Sequence, residues 1–395
     1  MRKSLSLFFS LFFLAFIAAA QTEVDERAVI SFDKGLGFFA PDSTFGLNLR
    51  FRIQNRIAMN TVSGTDLNPD EFEANVRRLR LRFDGYIGSS KLTYYMQLSF
   101  SRGDQDWDNT GFPGLVRDAM VFYNFNRNFY MGVGQGKLPG NRQRVTSSGQ
   151  QQFADRSLVN ATFNIDRDFG VFAYYNNNLG NVHYNLKGAI STGEGRNIQR
   201  TDNGLAYTIR AELLPLGDFT RDGDFSEGDL EREVKPKVSL ATSYSFNNKA
   251  VKSAGQRGDL LFQPTDISTF FVDMIAKYQG WALQAEYANR QVSQNPGLIS
   301  PESTPIVVTG DGFNTQLSYV FPNFWEFAGR YTFLKPSQDI ANLQAQSSVY
   351  TLGVTKYFQK HRNKIQLNLS YQRNQWEVFL PTDFFNVMFQ LEVGI

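Results

Sequence analysis

From residue 44 onward the chain alternates apolar and polar positions with period two, in segments of about ten residues. In the first segment Phe45, Leu47, Leu49, Phe51 and Ile53 share one face, while Asn48, Arg50, Arg52 and Gln54 share the other. The second sets Leu79, Leu81 and Phe83 against Arg78, Arg80, Arg82 and Asp84. Later segments are as regular: Ile365, Leu367, Leu369 and Tyr371 oppose Lys364, Gln366, Asn368, Ser370 and Gln372. Sixteen such segments run from 44–58 to 384–395, and beyond the N-terminus none shows sustained helical periodicity.

The connections alternate in length. Gly88-Ser90, Asn126-Arg127, Gln279-Gly280 and Pro322-Asn323 mark tight turns, whereas 59–75, 139–167, 248–266, 291–311 and 335–347 are long. Short turns at one end and long loops at the other are the habit of a closed up-and-down barrel in an outer membrane. The exception is 215–235, long where a short turn is due, and its acidic, Gly-rich composition suggests a solvated periplasmic excursion. The pattern therefore predicts an all-β fold, a transmembrane antiparallel up-and-down β-barrel of about sixteen strands. A soluble β-sandwich also alternates, but its apolar face packs a core and rarely stays so aromatic over this many strands.

Composition sharpens this reading. Aromatic residues make up 15% of the chain, yet mean hydropathy is only −0.34. Helical spans need about 20 consecutive apolar residues each, whereas a barrel shows lipid only its alternate residues. Arg2 and Lys3, the apolar run Leu5–Ile17 and Ala18-Ala19-Ala20 read as an export signal over residues 1–20, cleaved before Gln21. A periplasmic lead-in over 21–43 and one barrel domain over 44–395 follow. Without Arg2 and Lys3 the formal charge falls from +2 to zero, which argues against a nucleic-acid binder. There is no cysteine and there are only two histidines, so no metal centre or cofactor is expected.

The polar rows carry the candidate chemistry. With the apolar rows on lipid, Arg50, Arg52, Arg78, Arg80 and Arg82 line the lumen, with Arg56 near one end and Lys187 and Arg210 further round the wall. Guanidinium groups two residues apart repeat at about 6.6 Å along a strand. Such a column offers carboxylate or phosphate oxygens successive weak sites. Asp84, Asp118, Glu212 and Glu286 also face inward by parity, and opposed charges of this kind would give a balanced, weakly selective wall instead. Loop 139–167 is long enough to fold into the barrel and set a size limit, with Arg142, Arg144 and Arg156 as constriction residues. Arg156 would either narrow the opening or anchor the loop. No Gly-x-Ser-x-Gly, phosphate loop or metal-ligand cluster is present, and no enzymatic activity is expected.

Several short motifs stand in a familiar order. Ile30–Leu36 leading into Phe45–Gln54, Arg77-Arg-Leu-Arg-Leu81, Val116-Arg-Asp-Ala119, Gly134-Gln-Gly-Lys-Leu-Pro139, Phe153-Ala-Asp-Arg-Ser157 and Arg167-Asp-Phe-Gly-Val171 together resemble the phosphate-selective porin O and P family. The resemblance implies a homotrimeric sixteen-stranded pore in the bacterial outer membrane, a third extracellular loop folded inward, and a basic lumen favouring anions such as phosphate. It implies Lys137 as a further lumen residue. Alternation sets Lys137 in register with Met131 and Val133 on the lipid face, so a bulge at Gly134 or Gly136 would be needed to turn it inward.

The expected activity is passive diffusion of small anions or other hydrophilic solutes. The competing expectation is a barrel plugged by its own loops, serving as a receptor, an adhesin or a subunit of an uptake complex.

Overall fold

The computed structural model describes residues 29–32, 35–104, 114–198, 204–299 and 305–395. The expected leader, and the lead-in as far as residue 28, lie outside the described residues. Two short strands, β1 (Val29–Ser31) and β2 (Leu36–Phe39), precede the barrel. Its first eight strands are β3 (Phe45–Thr61), β4 (Pro69–Ile87), β5 (Ser89–Ser99), β6 (Val116–Asn124), β7 (Phe129–Lys137), β8 (Arg167–Leu179), β9 (Val182–Ser191) and β10 (Ala206–Leu214). The second eight are β11 (Lys237–Lys252), β12 (Leu260–Tyr278), β13 (Trp281–Val292), β14 (Gly310–Val320), β15 (Trp325–Pro336), β16 (Gln346–Tyr357), β17 (Lys364–Gln375) and β18 (Thr382–Gly394).

Each barrel strand pairs antiparallel with the next, and β18 returns to β3 from Asn386↔Asn60 to Gly394↔Arg52. The sixteen-strand ring is closed, so no ladder edge meets lipid. Below Gly394 the longer β3 would be left unpaired. There β2 takes over its edge from Leu36↔Leu49 to Phe39↔Gly46, and β1 pairs on β2.

The outer surface follows the period-two rule. Val121, Val133, Ile190, Ile209, Leu317, Leu352 and Leu369 are exposed on it. Aromatic side chains cluster near the turns, where amphipathic rings suit the membrane interface. Trp281 lies 4.8 Å from Tyr319, which lies 4.8 Å from Phe321. At the opposite end Tyr371 and Phe385 sit 5.1 Å apart.

Three strands outrun the alternation. β4 begins at Pro69 instead of 76, β11 continues to Lys252 and β12 starts at Leu260, so the loops expected over 59–75 and 248–266 shrink. Beyond the lipid band a hairpin needs backbone pairing but no apolar face, and its sequence loses the signal. Pro264 is accommodated in β12 where pairing with β11 is already irregular, between Asn247 and Lys252.

Two segments enter the lumen. Residues 138–166, between β7 and β8, carry the short helices α1 (Arg142–Val145) and α2 (Leu158–Phe163). Leu138, Val159, Phe163 and Ile165 pack there against Phe172, Ala189, Phe271, Ala288 and Leu334 of the wall. The second segment is 215–236, between β10 and β11. It is not the solvated excursion its composition suggests: Asp224, Glu227, Asp229 and Glu233 are buried, and Leu230 packs on Val320 and Tyr357. The acids are spent on partners inside the barrel. Glu227 accepts from the Gln152 amide at 3.0 Å, and its own amide donates to the Gln150 carbonyl at 2.7 Å.

Candidate functional site

The two inserted segments leave open a vestibule of about 1030 Å³. Among the described residues, thirteen arginines and lysines line it against four aspartates, an excess of nine positive charges. The strands supply Arg78, Arg80, Arg82, Arg117, Lys137, Arg167, Lys252 and Arg330, and the loops supply Arg144 and Arg156 among others. Of the carboxylates expected on the inner face (Asp84, Asp118, Glu212 and Glu286), only Asp118 lines this cavity.

The β3–β4 ladder faces inward as parity requires: Arg50 lies opposite Arg82 and Arg52 opposite Arg80, with Gln54 opposite Arg78. Its members differ in how far they are neutralised. Arg50 is ion-paired to Asp84, and Arg82 donates to the same carboxylate at 2.9 Å. Arg52 reaches the Ser148 hydroxyl at 2.9 Å and lies 3.7 Å from Glu392. Arg80 is paired with Asp104 and also donates to Ser148 at 3.1 Å. Arg78 donates to Gln54 at 2.8 Å, while its nearest carboxylate, Asp155, is 3.9 Å away. Among the described residues, the buried Nε atoms of Arg50, Arg52, Arg78 and Arg117 have no acceptor. A buried guanidinium N–H without a protein partner calls for water or an anion.

Arg210, expected as a solute contact, is not one. It is fully buried and donates to both oxygens of Asp273, at 2.6 and 2.9 Å, and to Glu212 at 2.6 Å. Lys187 is likewise engaged, 2.7 Å from Glu212, with its ammonium over the Phe225 ring at 4.8 Å. Arg142, expected at the constriction, is equally buried: its Nε lies 3.0 Å from Asp273, and it donates to the Asp224 carbonyl at 2.9 Å. These residues form the hub where loop, periplasmic segment and wall meet. Three cations there (Arg142, Lys187, Arg210) face three carboxylates (Glu212, Asp224, Asp273).

Arg144 and Arg156 do border the vestibule. Arg144 is paired with Asp166, while Arg156 donates to the Gln143 and Thr146 carbonyls at 2.7 and 2.9 Å, bracing the loop internally. Burial pushes the Asp166 carboxyl up, but Arg144 and Arg167 outweigh it and hold it well below the usual carboxylate range. Burial acts likewise on Asp155, yet Arg56, with Arg77 and Arg78, holds it down to about 2.

Lys137 turns into the lumen. Its Nζ donates to the Val145 and Thr146 carbonyls at 2.9 and 3.3 Å. The change of face occurs at Gly134, whose φ of 133° suits glycine, and a Cβ there would stand 2.1 Å from the Ala119 carbonyl oxygen. Across the ladder the β5–β6 register skips Arg117, a bulge that brings this guanidinium inward as well. Sequence reasoning missed Arg117 and Arg330 as lining residues. Parity alone would have found Arg330, since Phe327, on its own strand, faces lipid; the bulge hides Arg117.

Loop 138–166 is tied to the wall all round. Arg290 donates to the Thr162, Phe163 and Asn164 carbonyls at 2.8–3.2 Å, satisfying the C-terminal end of α2, and Ser157 caps its N-terminus. Asn141 donates to Glu286 at 3.1 Å, Lys364 to the Gln151 carbonyl at 2.6 Å, and Arg56 to Asp155 at 2.6 Å. His183 pairs with Asp218 at the periplasmic rim, and His361 is buried against Tyr357 and the Glu227 carbonyl.

A family model described as phosphate-selective porin O and P matches residues 47–377. An uncharacterized protein of Aquifex aeolicus (strain VF5) is 23% identical over 323 residues, spanning 72% of this chain and 71% of that protein. Among solved structures, the fold is similar to an anion-selective porin from Comamonas acidovorans, with a TM-score of 0.56 and 11% identity over 89% of this chain and all of that one. It is also similar to the outer membrane channel DcaP of Acinetobacter baumannii (0.52, 10% identity, 89% and 97% coverage). The trimer form of OmpT from Vibrio cholerae gives 0.55 and 10% identity over 89% of this chain and 100% of that one.

Proposed function

Because this chain belongs to the phosphate-selective porin O and P family and is an outer-membrane β-barrel porin, we propose that its traffic is chiefly anionic, drawn in by the arginines of the vestibule. The observation that carries this is the charge of that cavity, an excess of nine positive side chains among its described lining residues. A passage lined by one sign of charge between low-dielectric walls concentrates the opposite ion. Partial neutralisation keeps each site weak enough to release its ion to the next, as conduction requires. Arg78 and Arg117 are the principal contacts, followed by Arg80, Arg82, Arg144 and Lys137. The Comamonas protein carries anion selectivity in its name, and the family carries phosphate in its own; both agree with the charge of this lumen. Passage is passive and the working assembly is a homotrimer, the form in which the Vibrio protein is described.

The test is substitution of Arg78 and Arg117 by Gln in channels reconstituted in planar bilayers. The chloride-to-potassium permeability ratio should fall with each substitution and fall further with both. A ratio indifferent to both would remove the vestibule arginines from the account.

A further inference from the structure

The vestibule has a second kind of wall. On the periplasmic side of loop 138–166, the inward positions of β6, β7 and β8 are not polar: Phe122, Tyr130 and Tyr174 stand there together. Tyr130 and Tyr174 stack at 4.6 Å with 9° between planes, and Phe122 lies 6.1 and 6.3 Å from them. The opposed position on β7 is Gly132, where a Cβ would come within 2.6 Å of the Phe122 ring. The glycine thus clears the floor on which that ring lies. Phe122 and Tyr174 border the same cavity as Arg78, Arg80 and Arg82, and the Arg82 guanidinium already sits over the Tyr95 ring at 4.3 Å. Inward wall positions covered by the loop are apolar because the loop packs on them. Phe122 and Tyr174 also pack against the loop's apolar cluster, yet they are only half-buried and keep part of their surface on the opening.

From this juxtaposition we infer that the shelf is a binding site for the apolar body of an aryl anion, such as an arene carboxylate or sulfonate, whose charged group is held by the neighbouring guanidinium groups. The inference deepens the anionic reading of the same vestibule and rests on it. Ring stacks on Phe122 or Tyr174 while the carboxylate exchanges between Arg82 and Arg80, so one solute satisfies both walls. The gain for an aryl group over an alkyl group of equal charge is about two- to tenfold, the scale of one aromatic contact.

The experiment is a bi-ionic measurement on the full-length reconstituted channel, with potassium benzoate on one side and potassium acetate on the other. Benzoate should permeate at least as well as the smaller acetate, and its advantage should vanish in Phe122→Leu/Tyr174→Leu, which keeps apolar bulk without the π faces. A wild-type ratio set by ion size alone, or one the double variant leaves unmoved, overturns the inference. Should the variant not fold, block of chloride current by benzoate and by cyclohexanecarboxylate in the wild-type channel gives the same decision: stronger block by benzoate supports the shelf, and equal block refutes it. The reversal potential in a potassium chloride gradient, read in the same bilayers, separates the two ideas. A channel that prefers potassium fails on its charge, whereas one that prefers chloride without favouring benzoate fails only on its shelf.

Discussion

Replacing Asp273 by Asn should release loop 138–166 from the barrel interior. The Asp273 carboxylate accepts the Arg142 backbone amide at 3.1 Å and its Nε at 3.0 Å, together with two bonds from Arg210 at 2.6 and 2.9 Å. Both guanidinium groups are fully buried, and the hub balances three cations with three carboxylates. Asn leaves one cation uncompensated and points an amide N–H where a guanidinium now donates. Removing one partner of a buried, hydrogen-bonded ion pair costs about 3–5 kcal/mol. The loss falls on loop docking, because the β12 ladder itself needs only backbone groups. The opening equilibrium should therefore rise by about two to three and a half orders of magnitude, at 1.4 kcal/mol per factor of ten. Limited trypsin digestion of the purified barrel reads this directly, since cleavage after Arg142 or Arg144 requires the loop to leave the lumen and its rate follows the open population when reclosing is fast. Cleavage at the wild-type rate, in a variant whose heat-modifiable gel mobility shows an intact barrel, would refute the hub.

Three further outcomes follow from the same packing. Phe153 is buried beneath the Arg330 guanidinium, 4.4 Å from its ring, so Phe153→Ala should weaken loop docking by about 3–5 kcal/mol and raise open-channel current noise. Shortening the periplasmic segment by removing 219–232 should raise single-channel conductance, because Leu230, Glu227 and Asp224 would no longer occupy the lumen; an unchanged conductance would mean that this segment does not narrow the path. Arg56 holds the Asp155 carboxyl down to about 2 against an ordinary 3.8, so its contribution to loop docking is complete above pH 4 and is lost only as pH falls through about 2. Asp155→Asn should accordingly leave the pH dependence of current noise between pH 7 and pH 4 unchanged, and a step near pH 4 that this substitution removes would show that Arg56 does not hold this carboxylate.

The strands were legible because lipid imposes period two on every one of them, and the arginine rows of β3 and β4 came with that parity. What filled the lumen was not legible in the same way. Parity says that Arg210 and Lys187 point inward, but it cannot say that Glu212, Asp273 and a distant loop are waiting for them there. Nor does the acidic composition of 215–235 distinguish solvation from burial against Lys277, whose Nζ donates to the Gly223 carbonyl at 2.7 Å, and against Arg142. A signal did exist: Phe172, Phe271 and Leu334 are apolar at inward positions, and such breaks in the polar row mark where loop 138–166 packs. The inward turns of Arg117 and Lys137 stayed hidden for a local reason, since a skipped residue in the β5–β6 register and a positive φ at Gly134 shift side chains between faces without disturbing the pattern on either side. β1 and β2 were unmarked because their pairing depends on where β18 stops, a fact of register rather than of composition.

The most direct measurement is the reversal potential of the wild-type channel in a planar bilayer under a potassium chloride gradient. The vestibule's excess of nine cationic side chains among its described lining residues predicts a potential of the sign set by chloride. A potential of the opposite sign, or none, would contradict the claim that these arginines determine what passes.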